Sequence, residues 1–165
     1  MIYFPNAKIN YGLRILNRRE DGYHNLKSAF IPIGWSDVLE VNINMNATPG
    51  SLIFSIKGIE IEGPSENNLV VKAHERLTQD FDLPGIEAVL LKNIPTGAGL
   101  GGGSSDGSFM LKAITQLCDL NLTNEQLETY AAKLGSDCPF FIKNTPALVT
   151  GRGEILEELE CKIQS

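Results

Sequence analysis

Between Pro95 and Gly107 the chain reads PTGAGLGGGSSDG, with five glycines between positions 97 and 103 and two adjacent hydroxyls at Ser104 and Ser105. Glycine at this density lets the backbone take positive φ and approach a ligand closely. An apolar, strand-like run precedes the segment and a helix-like run follows it. Unpaired N–H groups and the helix dipole at such a junction favour an anion, and the two hydroxyls suit phosphate oxygens or a metal ion. The formal GxGxxG at Gly97, Gly99 and Gly102 does not make a dinucleotide fold, because no acidic residue closes a second strand about 20 positions on. No Gly-Lys-Ser/Thr is present, so the Walker reading fails, and the protein-kinase signatures VAIK, HRD and DFG are absent.

Three further clusters carry polar chemistry. Lys8 and Asn10 alternate with apolar residues on a strand-like segment, where a lysine is ordinarily solvated. GSDCPFF (135–141) sets Asp137 near a helix start, where an N-cap is the simplest role. DGYHNL (21–26) places Tyr23 and His24 just after a turn, and a lone histidine there is more often structural or superficial.

A chain of 165 residues, 42% hydrophobic and 21% charged, holds one domain or little more and has enough apolar matter for a core. No run approaches the length of a membrane span, and no signal peptide is evident before Pro5, Asn6 and Lys8. Three widely spaced cysteines, Cys118, Cys138 and Cys161, fit neither a disulfide framework nor a CxxC metal site; they point to a reducing, cytoplasmic setting. A net charge of −6 argues against nucleic acid as a partner.

The elements that must position these residues follow from period. Ala7, Ile9, Tyr11, Leu13 and Ile15 alternate with Lys8, Asn10, Gly12 and Arg14, predicting a strand that buries its apolar side. Strands are expected over Leu39–Met45 and Leu52–Ile56, with Ile59 and Ile61 as an extension. Asn68 caps a helix carrying Leu69, Ala73, Leu77 and Phe81; Ile86 to Ile94 is again a strand. A helix from about Ser105 to Cys118 buries Phe109, Ala113, Ile114 and Leu117. Thr123 and Gln126 form a capping box for the next helix. A short helix opens with Pro139 near its first position, and Ala147–Val149 and Ile155–Leu159 close the chain as strands. Strands first and helices second place the fold in the α+β class.

In this order, PNAKINYGL (5–13), DGYHNL (21–26), PTGAGLGGGSSDG (95–107), GSDCPFF (135–141) and GRGE (151–154) resemble the GHMP kinase superfamily. Within it, they are most similar to the branch acting on diphosphocytidyl methylerythritol. The resemblance implies a two-layer mixed sheet packed against helices, with a left-handed β-α-β crossover. It implies an ATP-binding loop made of Pro95, Thr96, Gly97, Ala98, Gly99, Leu100, Gly101, Gly102, Gly103, Ser104 and Ser105. It assigns Asp137 as base on the acceptor hydroxyl, Lys8 as its cationic neighbour, Asn10 as a contact to the alcohol, and Tyr23 and His24 as readers of the cytosine. Mg2+ accompanies ATP, with Ser104 or Ser105 a possible ligand. The family's second, C-terminal domain is not expected within residues 1–165, so a truncated, weakly active or inactive form is expected, prone to self-association through a bared face. Two alternatives stay open: a GHMP kinase for homoserine or mevalonate, and a nucleotide-binding module without catalysis.

Overall fold

The computed structural model describes residues 1–18, 24–151 and 155–159. The period-two segments form strands β1 (Ile2–Tyr3), β2 (Asn6–Arg18), β3 (His24–Ser36), β4 (Val38–Ile43), β5 (Leu52–Gly58), β6 (Ile86–Lys92), β7 (Ala147–Gly151) and β8 (Ile155–Glu158). The helices are α1 (Leu69–Thr78), α2 (Gly102–Leu117), α3 (Asn124–Ala132) and α4 (Phe140–Lys143). The class is α+β, as expected, and the strands form two four-stranded sheets. The first has the order β1-β4-β6-β5 and is mixed, because β5 and β6 run parallel through the α1 crossover. The second, β2-β3-β7-β8, is antiparallel throughout.

Asp37 alone separates β3 from β4, and the chain passes from one sheet to the other at that residue. The Asp37 N–H donates to the Pro5 carbonyl at 2.9 Å, tying the crossing to the start of β2. Under the first sheet, Leu39, Val41, Ile86, Ala88 and Leu90 pack with Val70, Ala73 and Leu77 of α1 and with Met110, Leu111 and Ile114 of α2. A second cluster, Phe30, Phe140, Phe141, Ala147 and Val149, lies under the other sheet.

Local signals land where expected. The Asn68 side chain accepts from the Val70 N–H at 2.9 Å, and Thr123 and Gln126 complete their capping box. Other expectations need correction. α2 begins at Gly102, three residues early, because the glycines themselves enter the helix. Its buried face is Met110, Leu111, Ala113 and Ile114, with Phe109 and Leu117 only partly covered at its flank. Phe81 lies beyond the end of α1, and β4 stops before Met45. Ile59 and Ile61 lie outside β5, which ends at Gly58. β3 has no counterpart among the expected elements: its Pro32 and Gly34 mask a strand that pairing with β2 and β7 supports.

The largest correction concerns β2. Tyr11 is 72% exposed and Ile9 39%, whereas Lys8 is 3% exposed. Ala7 is fully buried as expected and Asn10 is exposed, so the departure lies at Lys8, which is covered, and at Ile9 and Tyr11, which are not; a register irregularity between Asn6 and Lys8 breaks the alternation there.

Candidate active site

Gly101 caps α2 in the left-handed region, with φ +70°. A Cβ there would lie 3.0 Å from Phe141 Cζ and 3.1 Å from Lys8 Cγ, so this position is closed to larger residues by both conformation and contact. Ser105 N–H, bonded to the Gly101 carbonyl at 2.9 Å, is the first donor within the helix. The N–H groups of Gly102, Gly103 and Ser104 precede it and have no partner inside the helix, the usual setting for an anion. No acidic residue stands in the first turn, and residues 96–99 of the loop are exposed.

Lys8 lies directly against this loop. Its N–H donates to the Leu100 carbonyl at 2.9 Å, fastening the loop to β2. Its ammonium sits 4.2 Å from the Phe30 ring centroid, donates to Asn10 Oδ1 at 2.9 Å and pairs with Asp137 Oδ2 at 3.3 Å. These partners explain how a lysine occupies the covered face: the stem packs on apolar surface and the charge is matched at the tip. Asp137, 29% exposed, reaches the same point from the turn before α4. The N-cap of α4 is Pro139 rather than Asp137, and it carries no side-chain cap bond. Capping therefore does not account for Asp137.

The turn holding Asp137 is anchored on α2. Ser108 Oγ lies 2.8 Å from both the Ser104 and Cys138 carbonyls, its single proton serving one at a time. Lys112 Nζ donates to the Phe141 carbonyl at 2.7 Å, and burial pulls its pKa down to about 8. Burial pushes the Cys138 thiol up to about 11, so the neighbour of Asp137 stays protonated and is no nucleophile. Tyr23 and the GRGE residues 152–154 lie outside the described residues. His24 opens β3 opposite Arg18. Thus Lys8, Asn10, Asp137 and the glycine loop converge, from β2, the turn before α4 and the start of α2.

A second charged group went unforeseen. Lys92, at the end of β6, is 1% exposed and pairs with both Asp37 and Asp106, the latter at 2.8 Å. Asp37 Oδ1 also accepts from the N–H groups of Asn93 (2.5 Å) and Ile94 (2.8 Å). Burial pushes the Asp106 carboxyl up to about 7, against the pull of Lys92 and with the help of the Asp37 charge. One signal was available: Lys92 is in phase with the buried residues Ile86, Ala88 and Leu90.

Residues 68–145 match the family model described as GHMP kinases N terminal domain. The chain has the fold of a GHMP kinase N-terminal domain. The domain is 49% identical over 164 residues to a 4-diphosphocytidyl-2-C-methyl-D-erythritol kinase of Bacteroides fragilis, covering 99% of this chain and 60% of that relative. A crystal structure of 4-(cytidine 5'-diphospho)-2C-methyl-D-erythritol kinase superposes with TM-score 0.77 at 36% identity, over 96% of this chain and 55% of the other. A mevalonate kinase superposes with TM-score 0.72 at 10% identity, over 97% and 56%, which shows a shared fold. The chain therefore spans about 60% of the length of the curated relatives it matches. The GHMP kinase family implies use of ATP. No helix among the described residues is long and apolar enough to cross a membrane.

Proposed function

We propose that residues 1–165 are the ATP- and substrate-binding part of a cytoplasmic kinase that phosphorylates the 2-hydroxyl of 4-diphosphocytidyl-2-C-methyl-D-erythritol. The observation carrying this reading is the Lys8–Asp137 pair, 3.3 Å apart beside the glycine loop. A protein that only bound nucleotide would need no carboxylate paired with a covered lysine there. The high identity to kinases of that name supports the substrate.

In this mechanism the loop from Pro95 to Ser105 holds the ATP phosphates, with the free N–H groups at the start of α2 directed to them. Asp137 accepts the proton of the attacking hydroxyl as the new P–O bond forms and the β–γ bridge breaks, leaving ADP. Lys8 neutralises the charge that develops on the oxygens. Asn10, already bonded to Lys8, orients the alcohol, while Tyr23 and His24 read the cytosine. Among the described residues no group of three or more His, Cys, Asp or Glu side chains is arranged to hold a metal. Mg2+ therefore fits here mainly on phosphate oxygens, where it would neutralise their charge. Ser104, partly open, suits it better than Ser105, which is fully buried.

The test is turnover of a substrate panel by a chain of the relatives' full length. The diphosphocytidyl alcohol should be phosphorylated, and homoserine and mevalonate should not. Tyr23→Ala should raise its KM about tenfold, in line with stacking worth roughly 1–3 kcal/mol, and leave KM for ATP unchanged. ATP binding without turnover of any alcohol would reduce the protein to a binding module.

A further inference from the structure

We propose that Asp106, through Lys92 and Asp37, is a positioning residue that sets the start of α2 and hence the shape of the glycine loop for the ATP phosphates. The proposal rests on the kinase reading for its ligand, and on geometry for its substance. The three charged groups come from three elements. Asp37 is the crossing between the two sheets, Lys92 ends β6 immediately before the loop, and Asp106 is the fifth residue of α2, immediately after it. The loop is therefore clamped at both ends by one ammonium.

The fit leaves little freedom. A Cβ on Gly102 would meet Lys92 Nζ at 2.9 Å and Ile94 Cγ2 at 2.9 Å, so the first helical residue rests on the ammonium itself. Asp37 also takes the N–H groups of Asn93 and Ile94, the two residues that lead from β6 into the loop. Burying three charged groups for stability alone is poor design, since desolvation offsets most of the Coulomb gain and apolar residues serve as well. Asp106 Oδ1 is moreover buried with no partner, a cost that a merely cohesive contact would not carry. What the cluster provides, and an apolar patch would not, is a direction: it fixes where α2 begins relative to β6. The exposed loop between them is then spanned by a defined geometry, which is the condition for backbone N–H groups to meet phosphate without reorganising.

Two substitutions separate this from a structural role. Asp106→Ala leaves Lys92 paired with Asp37, so the protein keeps a matched ion pair and its fold. Asp106→Asn keeps an oxygen for Lys92. In a chain of the relatives' full length, without nucleotide, amide hydrogen exchange over residues 97–105 should quicken at least tenfold in Asp106→Ala, with α1 and α3 unchanged. Its Kd for ATP, measured by calorimetry, should rise at least tenfold, while KM for the alcohol moves less than about twofold. Asp106→Asn should recover both loop protection and ATP affinity to within about threefold. Wild-type exchange and ATP affinity in Asp106→Ala would overturn the proposal. So would equal loss in both variants, or quickened exchange spread evenly over the domain. If wild-type protein neither binds ATP nor phosphorylates an alcohol, the kinase reading fails, and the loop-exchange comparison still decides whether Asp106 orders the segment.

Discussion

Lys8 and Asp137 are informative as a pair because neither is explained by what surrounds it locally. Lys8 is a covered lysine on a strand, and Asp137 is an acid near a helix start that does not cap the helix. As the proposed base, Asp137→Asn should lower kcat at least about 100-fold with the Kd for ATP little changed. Lys8→Ala should also depress kcat, and the double variant should lose less than the two losses combined, since the groups act as a unit. Near-normal kcat in Asp137→Asn would remove it from the chemistry. His74 lends itself to a different measurement. It is buried in α1 with Nε2 unpartnered, and burial lowers its pKa below the ordinary 6.5, with Glu75 opposing. The unfolded chain takes up this proton near pH 6.5, while the folded chain refuses it until lower pH. Its contribution to stability is therefore complete above 6.5 and declines as pH falls below that value. The difference in Tm between pH 8 and pH 5.5 should be smaller in His74→Leu than in wild type; an identical difference would exclude His74 as the source.

At the scale of elements, the junction between β6 and α2 is the part that the proposed function places on the ATP phosphates. It is held from below by Lys92 and from the side by the Lys8 N–H, and it turns into the helix through Gly101 at φ +70°. Alanine at that position must accept a left-handed backbone, costing about 1–3 kcal/mol. It must also displace Phe141 or the Lys8 stem, which stand 3.0 and 3.1 Å from the new Cβ. Gly101→Ala should therefore lower Tm and weaken ATP binding together. Gly103→Ala, where the Cβ meets nothing within 4 Å, should leave Tm nearly unchanged. Thermal melts and ATP titrations of the two variants make the comparison, and similar Tm losses in both would contradict it.

For the whole molecule, one face of the second sheet packs Phe30 against Phe140 and Phe141, and apolar residues of its other face reach solvent. Ile9 and Tyr11 of β2 stand exposed there, opposite Ile31 and Ala29 of β3, and Trp35 is 47% exposed further along β3. Apolar rows of this kind promote association. Sedimentation of the 165-residue chain should show mass rising with concentration, and Ile9→Ser with Tyr11→Ser should suppress the rise. A single monomeric species at every concentration would contradict the expectation.

Much of the local structure was legible in the sequence alone, although β3 and the true start of α2 were not. The order strand, glycine loop, helix is written in composition and period, as are the Asn68 cap and the box formed by Thr123 and Gln126. The candidate site residues Lys8, Asn10 and Asp137 were named by resemblance, and neither their spacing nor their type revealed that they meet. Packing across the chain sets which residues of β2 are covered. An alternating strand states that it has two faces, but which face is covered depends on what packs there. Phe30, Gly101 and Asp137 come from three distant segments and together cover Lys8. The same holds for Lys92. A charge on a buried row is tolerated only when distant partners arrive to match it, and Asp37 and Asp106 do so from a sheet crossing and from the far side of the loop. Periodicity is set by bonds along the chain; charge burial is set by partners across it.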